Sequence, residues 1–141
     1  MSNGNKLEID DVIGGLQADL VKALLGMNGL PGYDQPFPVP DLSSVVVRDV
    51  VLVLDDNLRG NADEELLGIA RIVSREELHT IGVEAAGLSF DEPEVRGAVI
   101  SLRLRIVLAR RGRPLTTEGG LLVRFVEDAG RWTVEDEPVV L

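Results

Sequence analysis

Apolar positions recur at helical spacing near the start of the chain. Ile9, Val12, Ile13, Leu16, Leu20, Ala23, Leu24 and Met27 fall on one face, and Val21 and Leu25 widen it, the three-to-four-residue period of an amphipathic helix. Asn5 and Glu8 stand at capping-box spacing ahead of that stripe. "NGLPG", residues 28–32, supplies breakers behind it. Gly14 and Gly15 lie inside the predicted helix, where each costs about 1 kcal/mol against Ala. They are either tolerated defects or a bare patch that lets another backbone approach.

A second pattern follows. In "DLSSVVVRDVVLVLDD" the run reads as one strand from Val45 to Leu54, apolar on both sides. Alternation puts Val46, Val50, Leu52 and Leu54 on one face and Val45, Val47, Val51 and Val53 on the other. The chain's own helices are expected to cover the first face. A second layer or a neighbouring subunit is expected to cover the other, because four exposed valines invite association. Arg48, Asp49, Asp55 and Asp56 then act as gatekeepers against runaway strand pairing.

The middle of the chain returns to helical spacing. Asn61 with Glu64 and Ser74 with Glu77 repeat the capping-box pattern. Leu66, Ile69, Ala70 and Val73 share a helical face, and Leu78, Ile81, Ala85 and Leu88 fit a second short helix up to Gly87. "HTIGVEAAGLSF" alternates enough to be a strand instead.

Val99 to Ala109 is the clearest strand, with Ile100, Leu102, Leu104, Ile106 and Leu108 on one face and Ser101, Arg103 and Arg105 on a wet one. "DAGR" is a hairpin turn centred on Ala129 and Gly130. That register sets Phe125 opposite Val134 and Arg124 opposite Glu135 and places Trp132 in the core. The whole reads as an α+β fold: an N-terminal helix and a short helical middle packed on a mainly antiparallel sheet. One domain spans residues 1–141, with the helix over 1–28, a Pro-rich arm over 29–41, and the strand, helical segment and three-strand meander over 42–141.

Composition narrows the chemistry. The 141 residues are 45% hydrophobic and 27% charged, with no cysteine and a net charge of −10. Disulfides and thiolate chemistry are excluded, and a nucleic-acid partner is disfavoured because it needs clustered Lys and Arg. "RRGRP", residues 110–114, reads as a solvated turn. Without a run of about 18 apolar residues no membrane span is expected. The N-terminus has no secretory pattern, so a cytoplasmic location fits.

Candidate chemistry is sparse. His79 is the single histidine, too few for an imidazole metal site. No phosphate loop, dinucleotide fingerprint or nucleophile elbow is present. The acidic runs lack the alternating spacing of a calcium loop. No cofactor, metal or catalytic residue is assigned.

Two stretches carry family resemblances. "LEIDDVIGGLQADLVKAL" and "PFPVPDLSSVVVRDVVLVLD" resemble the N-terminal helix and the Pro-led "S-x-x-V-x-x-V-x-V-D" strand of the bacterial domain-of-unknown-function family numbered 2589, over the N-terminal third of the chain. That resemblance implies a helix plus a β-rich domain and no catalytic residue. "VRFVEDAGRWTVEDE" is similar to the last hairpin of the cone-shaped nuclear-transport-factor and ketosteroid-isomerase-like fold. That resemblance implies an apolar cavity with an acid or base inside, for which Asp49 or His79 would serve. Outside such a cavity Asp49 would pair with Arg103 or Arg105.

Two functional readings follow. The first is a non-enzymatic structural or interaction protein that self-associates as a homo-oligomer through an apolar strand face. Its interface would use Val45, Val47, Val51 and Val53, the arm's Tyr33 and Phe37, and Gly14 and Gly15. The second is a binder of a small apolar ligand, or an isomerase-like enzyme, of the cone-shaped fold.

Overall fold

The one-sided strand beginning at Val99 organises the sheet. In the computed structural model, which describes residues 2–27, 29–33, 46–47 and 50–141, with side chains for 8–27, 29–33 and 51–141, it forms β6 (Val99–Arg110). Before it come α1 (Ser2–Leu24), β1 (Val46–Val47), β2 (Val50–Leu54), α2 (Ala62–Glu65), β3 (Ala70–Val73), α3 (Arg75–Thr80), β4 (Glu84–Phe90) and β5 (Glu94–Arg96). After it come β7 (Thr116–Asp128), β8 (Arg131–Val134) and β9 (Val139–Val140). The strands join one sheet along the path β1-β2-β4-β6-β7-β8, with β3 on β2, β5 on β6 and β9 on β7.

The α+β class and the C-terminal meander are as the sequence predicts. β6 pairs antiparallel with β7, and β7 with β8 in the expected register, Phe125 opposite Val134. The Glu135 N–H donates to the Arg124 carbonyl at 2.9 Å, which places those two side by side. Ile100, Leu102, Leu104, Ile106 and Leu108 all enter the main core with Leu121, Val123 and Phe125 of β7 and Ile13, Leu16, Leu20, Val21 and Leu24 of α1. Trp132 packs against that core but is only half-buried.

The Val45–Leu54 run is not one strand. β1 and β2 pair with each other antiparallel, Val46 opposite Val51 and Val47 opposite Val50. β2 then runs parallel to β3 on one side and to β4 on the other. This explains the doubly apolar pattern, because a parallel strand is commonly covered on both faces. Val51 and Val53 lie in the main core with α1. Leu52 and Leu54 lie in a smaller core with Leu78 of α3, together with Val73, Ala85, Val107 and Ala109. The chain's own helices therefore cover both faces of β2, from opposite sides of the sheet.

The middle of the chain is also less helical than its spacing suggests. Ala70 and Val73 belong to β3, and Ala85 and Leu88 to β4. Both short helices start where predicted, α2 directly after Asn61 and α3 after Ser74, where the Ser74–Glu77 capping box forms in both directions at 3.1 and 3.2 Å. Asn61 makes no side-chain cap. α1 begins at Ser2, ahead of the expected Asn5 cap, and ends at Leu24. Gly26 (φ 73°) takes the left-handed conformation behind it. Its N–H reaches the Ala23 carbonyl at 3.0 Å and the Met27 N–H reaches Lys22 at 2.9 Å, the paired bonds of a Schellman cap.

A polar clamp fixes α1 to the loop after β2. Gln17 is fully buried. Its Nε2 donates to the Asn57 carbonyl at 2.8 Å, and its Oε1 accepts from the Arg59 N–H at 2.9 Å. Asn57 Nδ2 in turn donates to the Phe90 carbonyl at 2.8 Å, so helix, loop and β4 are tied in series. Gly14 lies at the same contact: a Cβ there would meet the Arg59 carbonyl oxygen at 2.3 Å, whereas one at Gly15 would meet nothing within 4 Å. The two adjacent glycines thus differ, one filling a close approach and the other meeting no other described element.

One carboxylate is held at a cost. Burial pushes the Asp19 carboxyl above its usual 3.8, against the pull of the Lys22 ammonium, and Glu65 pushes it further up. The folded state then favours the protonated form. This stabilisation is fully present below about pH 4 and is lost as pH rises through the elevated value. Asp19→Asn should therefore melt at a higher temperature than the parent at pH 7, and the gap should close as pH falls below about 4. Thermal melts across that range check it, and a gap that widens on acidification contradicts it.

Candidate interaction surface

The sheet's second face is divided. α3 closes one half, where Leu78 covers Leu52, Leu54, Val107 and Ala109, with Ile81 and Leu115 at the margin. The other half, over β5, β6, β7 and β9, is left uncovered by the described residues. Cross-strand pairing arranges its outward side chains in rows. Glu94 stands opposite Ser101, and Ser101 opposite Arg124. Arg103 stands opposite Leu122, and Leu122 opposite Val139.

Charges alternate across these rows. Arg105 is half-buried, and its Nε donates to both carboxylate oxygens of Asp91 at 2.8 and 3.0 Å. Among the described residues Asp91 is thus this arginine's partner; Asp49, the partner expected from the sequence, lies outside them. Arg103 and Arg124 are exposed and form no ion pair among the described residues. They border a hollow of about 210 Å³ with Asp91, Glu92, Glu94 and Leu122. A smaller one of about 80 Å³ lies between Leu122, Arg124, Asp136, Glu137 and Val139. Two guanidiniums flanked by carboxylates on both sides suit contact with another charged surface. They do not form a nucleophile–base pair of the kind that acyl or phosphoryl transfer needs.

The sheet ends here at an apolar edge, where Val139 stands opposite Leu122 on this face and Val140 opposite the core residue Leu121 on the other. Val139, Val140 and Leu141 are 52%, 49% and 50% exposed. The Leu141 N–H donates inward to the Gly120 carbonyl at 2.9 Å, so strand alternation turns the Val140 N–H outward. Among the described residues β9 pairs only with β7. The edge of β8 is protected instead: the Val134 N–H donates to the Pro31 carbonyl at 2.9 Å. β3, at the far side of the sheet, is four residues long with Arg71 exposed, both devices that blunt an edge.

The residues expected at an interface are dispersed. Val51 and Val53 are 3% and 0% exposed in the chain's own core, so they present no free face. Gly14 is occupied by the Arg59 loop and Gly15 is half-buried. Tyr33 is half-buried against the main core. Phe37 and Val45 lie outside the described residues, as does the side chain of Val47. His79 is half-buried in α3, over the closed half of the second face. Sequence reading identified the wet side of β6 but missed β9, whose two valines after "EDEP" are too few to show alternation. No family model, no characterised protein and no solved structure matches the chain. No helix among the described residues is long and apolar enough to cross a membrane.

Proposed function

We propose that this protein is a non-catalytic interaction protein that self-associates, and that the apolar strand it uses is β9. The supporting observation is that edge: three adjacent half-exposed apolar residues beside an outward-facing backbone N–H, with Val139 on the side of the open half and Val140 on the side of the main core. Two copies meeting antiparallel at β9 would extend each other's sheet, a form of strand addition. The same strand takes the same role in each copy, as a two-fold contact requires. Net charge −10 favours a protein partner over nucleic acid, and a cytoplasmic location accords with the absence of cysteine.

The expected strength is modest. Burying the exposed halves of these three side chains in both copies is worth about 4 kcal/mol. Association itself costs about 4–15 kcal/mol. Backbone bonds contribute about 1 kcal/mol each. The contact should therefore be reversible and concentration-dependent. Two strongly acidic copies also repel, so added salt should strengthen it.

Val140→Pro tests the edge selectively. Proline removes the outward N–H while leaving the inward bonds to β7, and it is tolerated on edge strands. The variant should keep the parent's circular dichroism and lose its dimer by light scattering. An unchanged dimer fraction in a folded Val140→Pro variant places the contact elsewhere.

A further inference from the structure

A separate groove of about 330 Å³ opens between the early turns of α1 and the tip of the β7–β8 hairpin, lined by Glu8, Ile9, Val12, Glu127, Gly130 and Trp132. Its parts come together for simple reasons. Glu8 and Val12 are one helical turn apart, with Ile9 beside them. Glu127 is the direct cross-strand neighbour of Trp132, on the same face as the Phe125–Val134 pair two residues away. Phe125 is fully buried, while Trp132 and Val134 are half-buried and Glu127 is exposed. The hairpin thus passes from core to solvent as it reaches the groove, and part of the indole is left uncovered there.

We propose that this groove binds an organic cation: an ammonium group carried on an apolar stem. Ile9 and Val12 offer an apolar wall for the stem. The indole face attracts a cation through its negative quadrupole. Glu8 and Glu127, both exposed, supply carboxylates from opposite walls. A neutral apolar ligand would gain nothing from those carboxylates, and an anion would be repelled by them. Arg131, the nearest cation on the hairpin, stands opposite Asp128 in the strand register and follows the alternate face from Trp132. The protein's charge of −10 adds a field of the same sign. Such a cation exists as a free alkylammonium ligand or as a lysine side chain of a partner protein, and the test separates the two. This site does not depend on the β9 contact.

Trp132 is the single tryptophan, so its fluorescence reports on the groove directly. The whole protein is titrated at fixed ionic strength with butyltrimethylammonium chloride, with Nα-acetyl-lysine amide, and with the neutral isostere 3,3-dimethylbutanol. Both cations should give a saturable change with millimolar midpoints, and the alcohol should not. Tighter binding of the quaternary ammonium assigns a free ligand, and tighter binding of the lysine derivative assigns a protein partner. Glu8→Gln with Glu127→Gln should weaken the cations about fivefold without changing the circular dichroism. As a readout on the parent alone, the ligand's N-methyl proton resonances should move upfield from the indole ring current. Equal response to the alcohol, unchanged midpoints in the double variant, or absence of a saturable change for both cations overturns the proposal.

Discussion

Gly14→Ala is expected to lower the melting temperature by about 8 °C, while Gly15→Ala one residue along raises it by about 4 °C. Helix propensity favours both changes by about 1 kcal/mol. At Gly15 that gain stands alone, because among the described residues nothing beyond the surrounding helix backbone lies within 4 Å of the new methyl position. At Gly14 the methyl would come within 2.3 Å of the Arg59 oxygen and 3.0 Å of its carbonyl carbon. Both are backbone atoms of a loop already bonded to Gln17, so they cannot swing aside as a side-chain end would. Overpacking of this kind costs about 1–3 kcal/mol and occasionally more, which outweighs the propensity gain. Thermal melts of the two single variants decide it: equal stabilisation by both would show that the Arg59 loop does not hold its place against α1.

Gln17→Met is expected to cost about 2–3 kcal/mol, roughly 10 °C in melting temperature. The replacement has nearly the same shape, so little cavity forms. What is lost is the partner of two backbone groups, the Arg59 N–H and the Asn57 carbonyl. A buried polar group left unpaired costs about 1–3 kcal/mol. Gly14 and Gln17 hold the same loop, so the cost of Gly14→Ala plus Gln17→Met should fall short of the sum of the singles. Strict additivity would mean that the two residues act on separate parts of the structure.

Much of the sheet could be read from the sequence where one face of a strand was dry and the other wet. β6 shows this along its length, and the Ala129–Gly130 turn fixed the β7–β8 register through Phe125 and Val134. The Val45–Leu54 run misled because alternation is silent when both faces are buried. Its doubly apolar pattern was the signature of a parallel strand, and its partners β3 and β4 lie far along the chain. β4, "EAAGLSF", has small residues of low strand propensity. Packing explains one of them: the side chain of Leu54 lies 2.9 Å from where a Cβ on Gly87 would stand. Tertiary fit overrode local preference there. The clamp did leave a signal, since Gln17 sits four residues from Ile13 within the apolar stripe of α1, where a polar side chain must find partners.

The interaction surface was legible only in half. Arg103 and Arg105 marked the wet face, yet which of them is neutralised depends on Asp91, brought alongside by the turn after β4. Val51 and Val53 drew attention because they are apolar, and they proved to be core. Exposure of Val139 and Val140 follows from where β9 joins the sheet, which no local pattern encodes.

Sedimentation equilibrium of the unmodified protein over a wide concentration range, in low salt and again in about 0.5 M salt, tests self-association most directly. The weight-average mass should rise from 15.3 kDa toward twice that value with concentration, and should do so at lower concentration in the higher salt. A mass fixed at the monomer value across the whole range in both salts would contradict association through β9.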